Sequence, residues 1–165
     1  MGFHDFTKIE RAMRSASCPA SRAVFAGARA FGYTNIEFVD PVEINELCDV
    51  RLHSRGVFIN NTLCLIHFLE NVRAKLSCGQ AMSRTNLVLN TLRAVNVQLF
   101  YVRAVGDKEY KPRMFVIPSK DLIETFFEGE PERLERAVCF PLEHPPENPI
   151  FPFSEYEDRW SVIPR

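Results

Sequence analysis

Apolar and polar positions recur along the chain on periods that predict a string of short elements. Ser17-Cys18-Pro19 sets a cap ahead of a proline at the first helical position, and Ala20, Val24, Ala28 and Phe31 follow at helical spacing as far as Gly32. This predicts a helix over residues 20–31. A shorter docking helix is expected before it, where Thr7-Lys8-Ile9-Glu10 has the Thr-x-x-Glu capping pattern and Phe6, Ile9 and Met13 share one side. After Gly32-Tyr33, residues 36–39 read as a strand halted by Asp40-Pro41, where proline removes a backbone donor. Cys48, Val50 and Leu52 alternate with Asp49, Arg51 and His53. A strand over residues 48–52 would bury the first three and put Asp49 and Arg51 on one surface.

Ser54-Arg55-Gly56 turns the chain into a strand over residues 57–59, and Asn60-Asn61 turns it again into residues 63–69. That last stretch is apolar at nearly every position, as expected of a central strand covered on both faces or of a short buried helix, with His67 its one strongly polar side chain. Residues 70–83 are polar and contain Gly79, which suits a long functional loop or an irregular helix carrying Arg73, Lys75 and, just beyond, Arg84. Residues 85–92 and 97–105 read as β-rich, the second with Val97, Leu99 and Tyr101 on one face and Gln98, Phe100 and Val102 on the other. A turn at Gly106-Asp107 leads to a strand over 114–117. A helix capped by Ser119 then buries Leu122, Ile123, Phe126 and Phe127, and a further helix is expected over 131–138.

Length limits the organisation. At 165 residues and 46% hydrophobic, the chain suits one α/β domain over residues 1–139, with a proline- and aromatic-rich extended segment, 140–165, packed on it and anchored by Trp160. Five cysteines, odd in number, widely spaced and mostly in apolar surroundings, read as buried thiols in a reducing compartment. No signal-type apolar run opens the chain and no stretch reaches the ~18 apolar residues of a membrane span, so a cytoplasmic protein is expected. A net charge of −1 gives no global attraction to nucleic acid. The charge is unevenly spread, however. Residues 1–105 carry 12 Lys/Arg against 8 Asp/Glu, and residues 106–165 carry 8 against 13, so nucleic-acid binding would use a local patch in the first part.

Arg51, Arg55, Arg73, Lys75, Arg84 and Arg93 are candidates to track a phosphate backbone, with Tyr33 or Tyr101 for stacking. Asp49 reads either as a metal ligand or as a strand carboxylate paired with Arg51 or Arg55. His67 reads as a hydrogen-bonded core histidine or as a ligand or base. Cys64 and His67 would face opposite sides of a strand, and no glycine-rich oxyanion turn adjoins them, which argues against a cysteine hydrolase. The Gly-x-x-x-x-Gly-Lys phosphate cradle and the dinucleotide fingerprint are both missing from the sequence. Phe115, Phe126 and Phe127 read as core.

From residue 20 to 127 the order is helix, Gly-Tyr, strand, Asp40-Pro41, Asp49 strand, apolar strand and the block Phe115-Val116-Ile117-Pro118-Ser119-Lys120-Asp121-Leu122. That order resembles the PD-(D/E)XK nuclease superfamily. The resemblance implies a restriction-endonuclease-like α/β fold, a mixed β-sheet flanked by helices, and Mg²⁺-dependent endonucleolytic hydrolysis of DNA. Asp49 is the residue that carries over, as the principal metal ligand. Where the family has Glu/Gln-x-Lys, this chain reads Leu65-Ile66-His67-Phe68-Leu69-Glu70, without the lysine. Glu70 would then supply the second carboxylate and Lys75 or Arg73 the cation, and Arg51, Arg55, Arg73 and Arg84 would contact DNA. The missing lysine keeps open a catalytically inactive domain of the same fold that binds nucleic acid or a protein partner. A third reading is an interaction protein that assembles, as a homo-oligomer or on a partner, through residues 140–165.

Overall fold

The computed structural model describes residues 18–39, 55–71, 82–104, 111–130, 132–141 and 151–165. Helix α1, Pro19–Phe31, starts where Cys18 takes an extended conformation and Pro19 supplies a pre-set φ. It ends where Gly32 turns left-handed at φ 112°, so that the Gly32 N–H reaches the Arg29 carbonyl and the Tyr33 N–H reaches that of Ala28. Its buried stripe is Ala20, Ser21, Val24 and Ala28. Small side chains let the helix lie close on the sheet.

That sheet has five strands in the order β1-β2-β3-β5-β6. β1 (Ile36–Val39), β2 (Arg55–Ile59) and β3 (Thr62–Asn71) form an antiparallel meander. The β2–β3 connection is a two-residue turn in which Asn60 and Asn61 both have positive φ, 46° and 68°. Such a turn matches the twist of the strands it joins. From β3 the chain passes through β4 (Met82–Val88) and α2 (Leu89–Ala94) to β5 (Val97–Ala104), which lies parallel to β3. β6 (Arg113–Pro118) returns antiparallel and leads directly into α3 (Ser119–Phe126). β7 (Glu135–Pro141) pairs with β4 in a separate two-stranded sheet. The architecture is mixed α/β. No helix among the described residues is long and apolar enough to cross a membrane.

Alternation along β5 divides the interior. Val97 and Leu99 join Cys64, Ile66, Val116 and the buried stripe of α1 in one core, with Tyr101 packed against it. Phe100 and Val102 join Phe115, Leu122, Phe126, Phe127, Val138 and Phe140 in a second, and Val39, Leu65 and Val95 form a smaller third cluster. The segment 151–165 contributes to the first two, Phe151 and Phe153 to the second and Trp160 and Ile163 to the first. It also covers the outer edge of β6. Asp158 N–H donates to the Met114 carbonyl, Glu157 bridges to Phe115, and Arg113 holds the Glu157 carboxylate at 2.6 Å. The Tyr33 hydroxyl, shared between the carbonyls of Trp160 (2.7 Å) and Ile163 (2.5 Å), ties this segment to the end of α1.

Several elements differ from the sequence expectation. The β-rich stretch at 85–92 is cut at Val88, because Leu89 and Leu92 bury one side of a helical turn and the Leu89 N–H is taken by the Leu134 carbonyl. The expected helix at 131–138 is replaced by β7, whose backbone groups pair with β4 along seven residues. Ser119 does not cap α3. Pro118 holds that position, and the Ser119 hydroxyl donates instead to the Val95 carbonyl. Of the described cysteines only Cys64 is buried, while Cys18 and Cys139 are half-buried, and all three are free thiols. Cys48 and Cys78, the docking helix at residues 6–13, the Asp49 strand and the turn at Gly106-Asp107 lie outside the described residues.

Candidate nucleic-acid interface

The parallel pair β3 and β5 runs in register from Cys64 opposite Val97 to Asn71 opposite Ala104. α1 packs over the first part of the pair, against Cys64, Ile66, Val97 and Leu99. Past that cover no other described element is packed on the Phe68 row of this face. Phe68 is 38% exposed there, with its ring stacked on that of Tyr101 at 5.7 Å and 27°. The next register pair on this face is Glu70 opposite Arg103. On the other side, Arg55 stands opposite Ile66 at the start of β2. Two arginines therefore flank a stacked aromatic pair on one sheet surface.

The Arg55 charge also acts on the thiol of Cys18, at the start of α1. Burial works against the Cys18 thiolate, but the N–H groups of Ser21 and Ala20 together with the Arg55 charge outweigh it, and the thiol pKa lies below its ordinary value. No family model, no curated protein and no solved structure matches the chain.

Two of the predicted site residues stand in this sheet, Arg55 in β2 opposite Ile66 and Glu70 in β3 opposite Arg103, four residues further along β3 than Ile66. Arg84 stands in β4, in the two-stranded sheet, opposite Cys139. Arg93 is exposed in the last turn of α2. Asp49, Arg51, Arg73 and Lys75 lie outside the described residues. Tyr33, expected as a stacking platform, is only 2% exposed, because its hydroxyl is committed to the C-terminal segment and its ring is packed under it. Tyr101 does lie on the open face. Phe68, by sequence one more apolar residue of a central strand, is the exposed ring on this face.

His67 points the other way, into the second core. Its ring stacks on Phe100 at 4.4 Å, and its Nε2 lies 2.6 Å from Gln98 Oε1. That oxygen can only accept, so Nε2 carries the proton. Gln98 is fully buried, and its amide donates to the Ser119 hydroxyl at 3.1 Å, which continues to the Val95 carbonyl. Burial disfavours the imidazolium more strongly than the Gln98 hydrogen bond favours it, and the His67 pKa falls to about 4. His67 is thus a neutral structural donor, and the line from His67 through Gln98 and Ser119 joins β3, β5 and the start of α3. Cys64 faces the opposite side, and burial raises its thiol pKa to about 12. Among the described residues no three potential metal ligands cluster.

Proposed function

We propose that this protein is a nuclease-like domain that binds DNA across the open face of its sheet. The observation that carries this reading is the exposed Phe68, stacked on Tyr101 and set between the Arg55 and Arg103 rows. A cationic flank with an aromatic centre suits phosphates and bases together. The described order of helix, strand, strand, apolar central strand and late strand-to-helix block supports the restriction-endonuclease-like form of the fold that the sequence resemblance implies.

Hydrolysis is the sharper form of the same reading. Asp49 and Glu70 would hold Mg²⁺, and Lys75 would sit near the scissile phosphate. Bound Mg²⁺ neutralises phosphate charge and lowers the pKa of water. Within this set only Glu70 belongs to a described element, and one carboxylate position opposite Arg103 does not by itself make a donor set for the ion. A catalytically inactive DNA-binding domain is the second reading, favoured by a β3 that carries no lysine and by a His67 that is turned into the core.

The test is cleavage of supercoiled and branched DNA in Mg²⁺ or Mn²⁺, beside a gel shift in Ca²⁺ at two salt concentrations, for the wild type, Asp49→Ala and Arg55→Ala. Salt-sensitive binding weakened about three- to tenfold by Arg55→Ala is expected. Cutting that disappears in Asp49→Ala selects the nuclease, and binding without cutting selects the inactive form. Absence of binding at both salt concentrations overturns the proposal.

A further inference from the structure

We propose that Cys18 is a redox-active thiol, which hydrogen peroxide oxidises to a sulfenic acid whose oxygen is held at the start of α1 by the Ala20 and Ser21 N–H groups and the Ser21 hydroxyl. This chemistry is independent of DNA binding.

The first turn of α1 leaves donors over. The first intrahelical bond runs from the Arg22 N–H to the Cys18 carbonyl at 3.0 Å, and Pro19 has no N–H, so the N–H groups of Ala20 and Ser21 are the ones this 13-residue helix cannot satisfy from within. Both favour a charged sulfur on Cys18, which stands at the cap position on extended backbone, φ −90° and ψ 122°. As a thiol it closes no capping hydrogen bond with them. A second group points the same way. Ser21 is 1% exposed, and its hydroxyl has no hydrogen-bond partner among the described residues. An unpaired buried hydroxyl is costly, and this one lies beside the Cys18 sulfur, where it favours negative charge. To these three donors a thiol offers a weak acceptor, whereas a thiolate or the oxygen of a sulfenic acid offers a strong one.

The other described cysteines lack this arrangement. Cys18 is half-buried, which leaves its sulfur within reach of a small oxidant. Cys64 is 0% exposed, with its sulfur turned to the Thr62 carbonyl at 3.6 Å and its thiol pushed up to about 12 by burial. Cys139 is half-buried too, but it belongs to strand β7, where successive N–H groups point to opposite edges and do not converge on one sulfur. In the reaction the Cys18 thiolate attacks one oxygen of hydrogen peroxide. The S–O bond forms as the O–O bond breaks, the sulfur gives up two electrons, and the second oxygen leaves as hydroxide and takes up a proton to become water. The Ser21 O–H then donates to the new sulfenic oxygen.

The experiment uses the full chain and reads each cysteine separately by peptide mass spectrometry. Iodoacetamide alkylation is followed against pH in the native protein and in urea. Native Cys18 should titrate below its position in the unfolded chain, and at pH 7 it should react at least about tenfold faster than Cys64 and about threefold faster than Cys139. Brief exposure to hydrogen peroxide followed by dimedone, which traps sulfenic acids, should label Cys18 ahead of both. Ser21→Ala removes a hydroxyl that has no partner in the reduced protein, so the thermal transition should not fall, whereas Cys18 alkylation at pH 7 should slow about three- to tenfold and dimedone labelling should decrease. Cys18 titrating alike in the native and unfolded chain, or carrying no dimedone under excess peroxide, overturns the proposal without recourse to a variant. Unchanged alkylation and trapping in Ser21→Ala, whatever its stability, overturns the role given to that hydroxyl.

Discussion

His67 illustrates how one side chain acquires its role from what it touches. On the sequence it is the polar exception in an apolar strand, compatible with a core donor, a metal ligand or a base. Gln98 Oε1 at 2.6 Å and the Phe100 ring at 4.4 Å make it a neutral donor. The consequence for stability follows from linkage. With a folded pKa of about 4 against 6.5 for the free side chain, the unfolded chain binds more protons between those values. The stabilisation is complete above pH 6.5 and is lost as pH falls from there through the folded value, roughly 3–4 kcal/mol in all at 1.36 kcal/mol per pKa unit. Urea unfolding of the wild type and His67→Gln between pH 4.5 and 7 should show a steeper decline in the wild type. Parallel declines would mean that His67 does not stay neutral in the folded protein. At the same scale, Phe68 shows what periodicity leaves out: its strand position was legible, and its exposure was not.

At the scale of elements, local signals were read correctly where the chain closes its own hydrogen bonds nearby. Pro19 and Gly32 bound α1 within a residue of the expected limits, and Asn60-Asn61 makes the turn expected of it. Asn61 has φ 68°, which a β-branched residue resists by roughly 1–2 kcal/mol. Asn61→Val should lower the urea midpoint accordingly, and Asn61→Gly should not. Equal loss in both variants would place the contribution in the asparagine side chain instead of the backbone. The misreadings at 85–92 and 131–138 share a cause. β4 and β7 find their hydrogen-bond partners in each other, some fifty residues apart along the chain, and α2 takes its cover from the tertiary core. A sequence window contains neither partner.

At the scale of the whole molecule, the C-terminal segment joins the two cores and seals the edge of β6. It lies tightly against α1 at Gly27, where an added Cβ would lie 2.5 Å from a Trp160 ring carbon. Overpacking of this kind costs about 1–3 kcal/mol, against a gain of about 1 kcal/mol from replacing a mid-helix glycine with alanine. Gly27→Ala should therefore destabilise the wild type and stabilise a Trp160→Leu background, where the helix preference acts without the clash. Destabilisation of equal size in both backgrounds would show that the contact with Trp160 is not what requires glycine.

The sequence by itself determined the mixed α/β character, the helix after Pro19, the Asn-Asn turn, the central apolar strand and the two-faced alternation of β5. Each follows from capping, turn chemistry or a period of 3.6 or 2, all set by near neighbours. It also supplied Arg55, Glu70 and Tyr101 as candidates. The tertiary structure alone decided that α1 stops short of the Phe68 row, that Tyr33 is enclosed by the C-terminal segment, that Arg84 belongs to a second sheet, and that His67 turns into the core. Which apolar side chain is left in water depends on how far a neighbouring element extends over it, and that distance is fixed by contacts among residues remote along the chain.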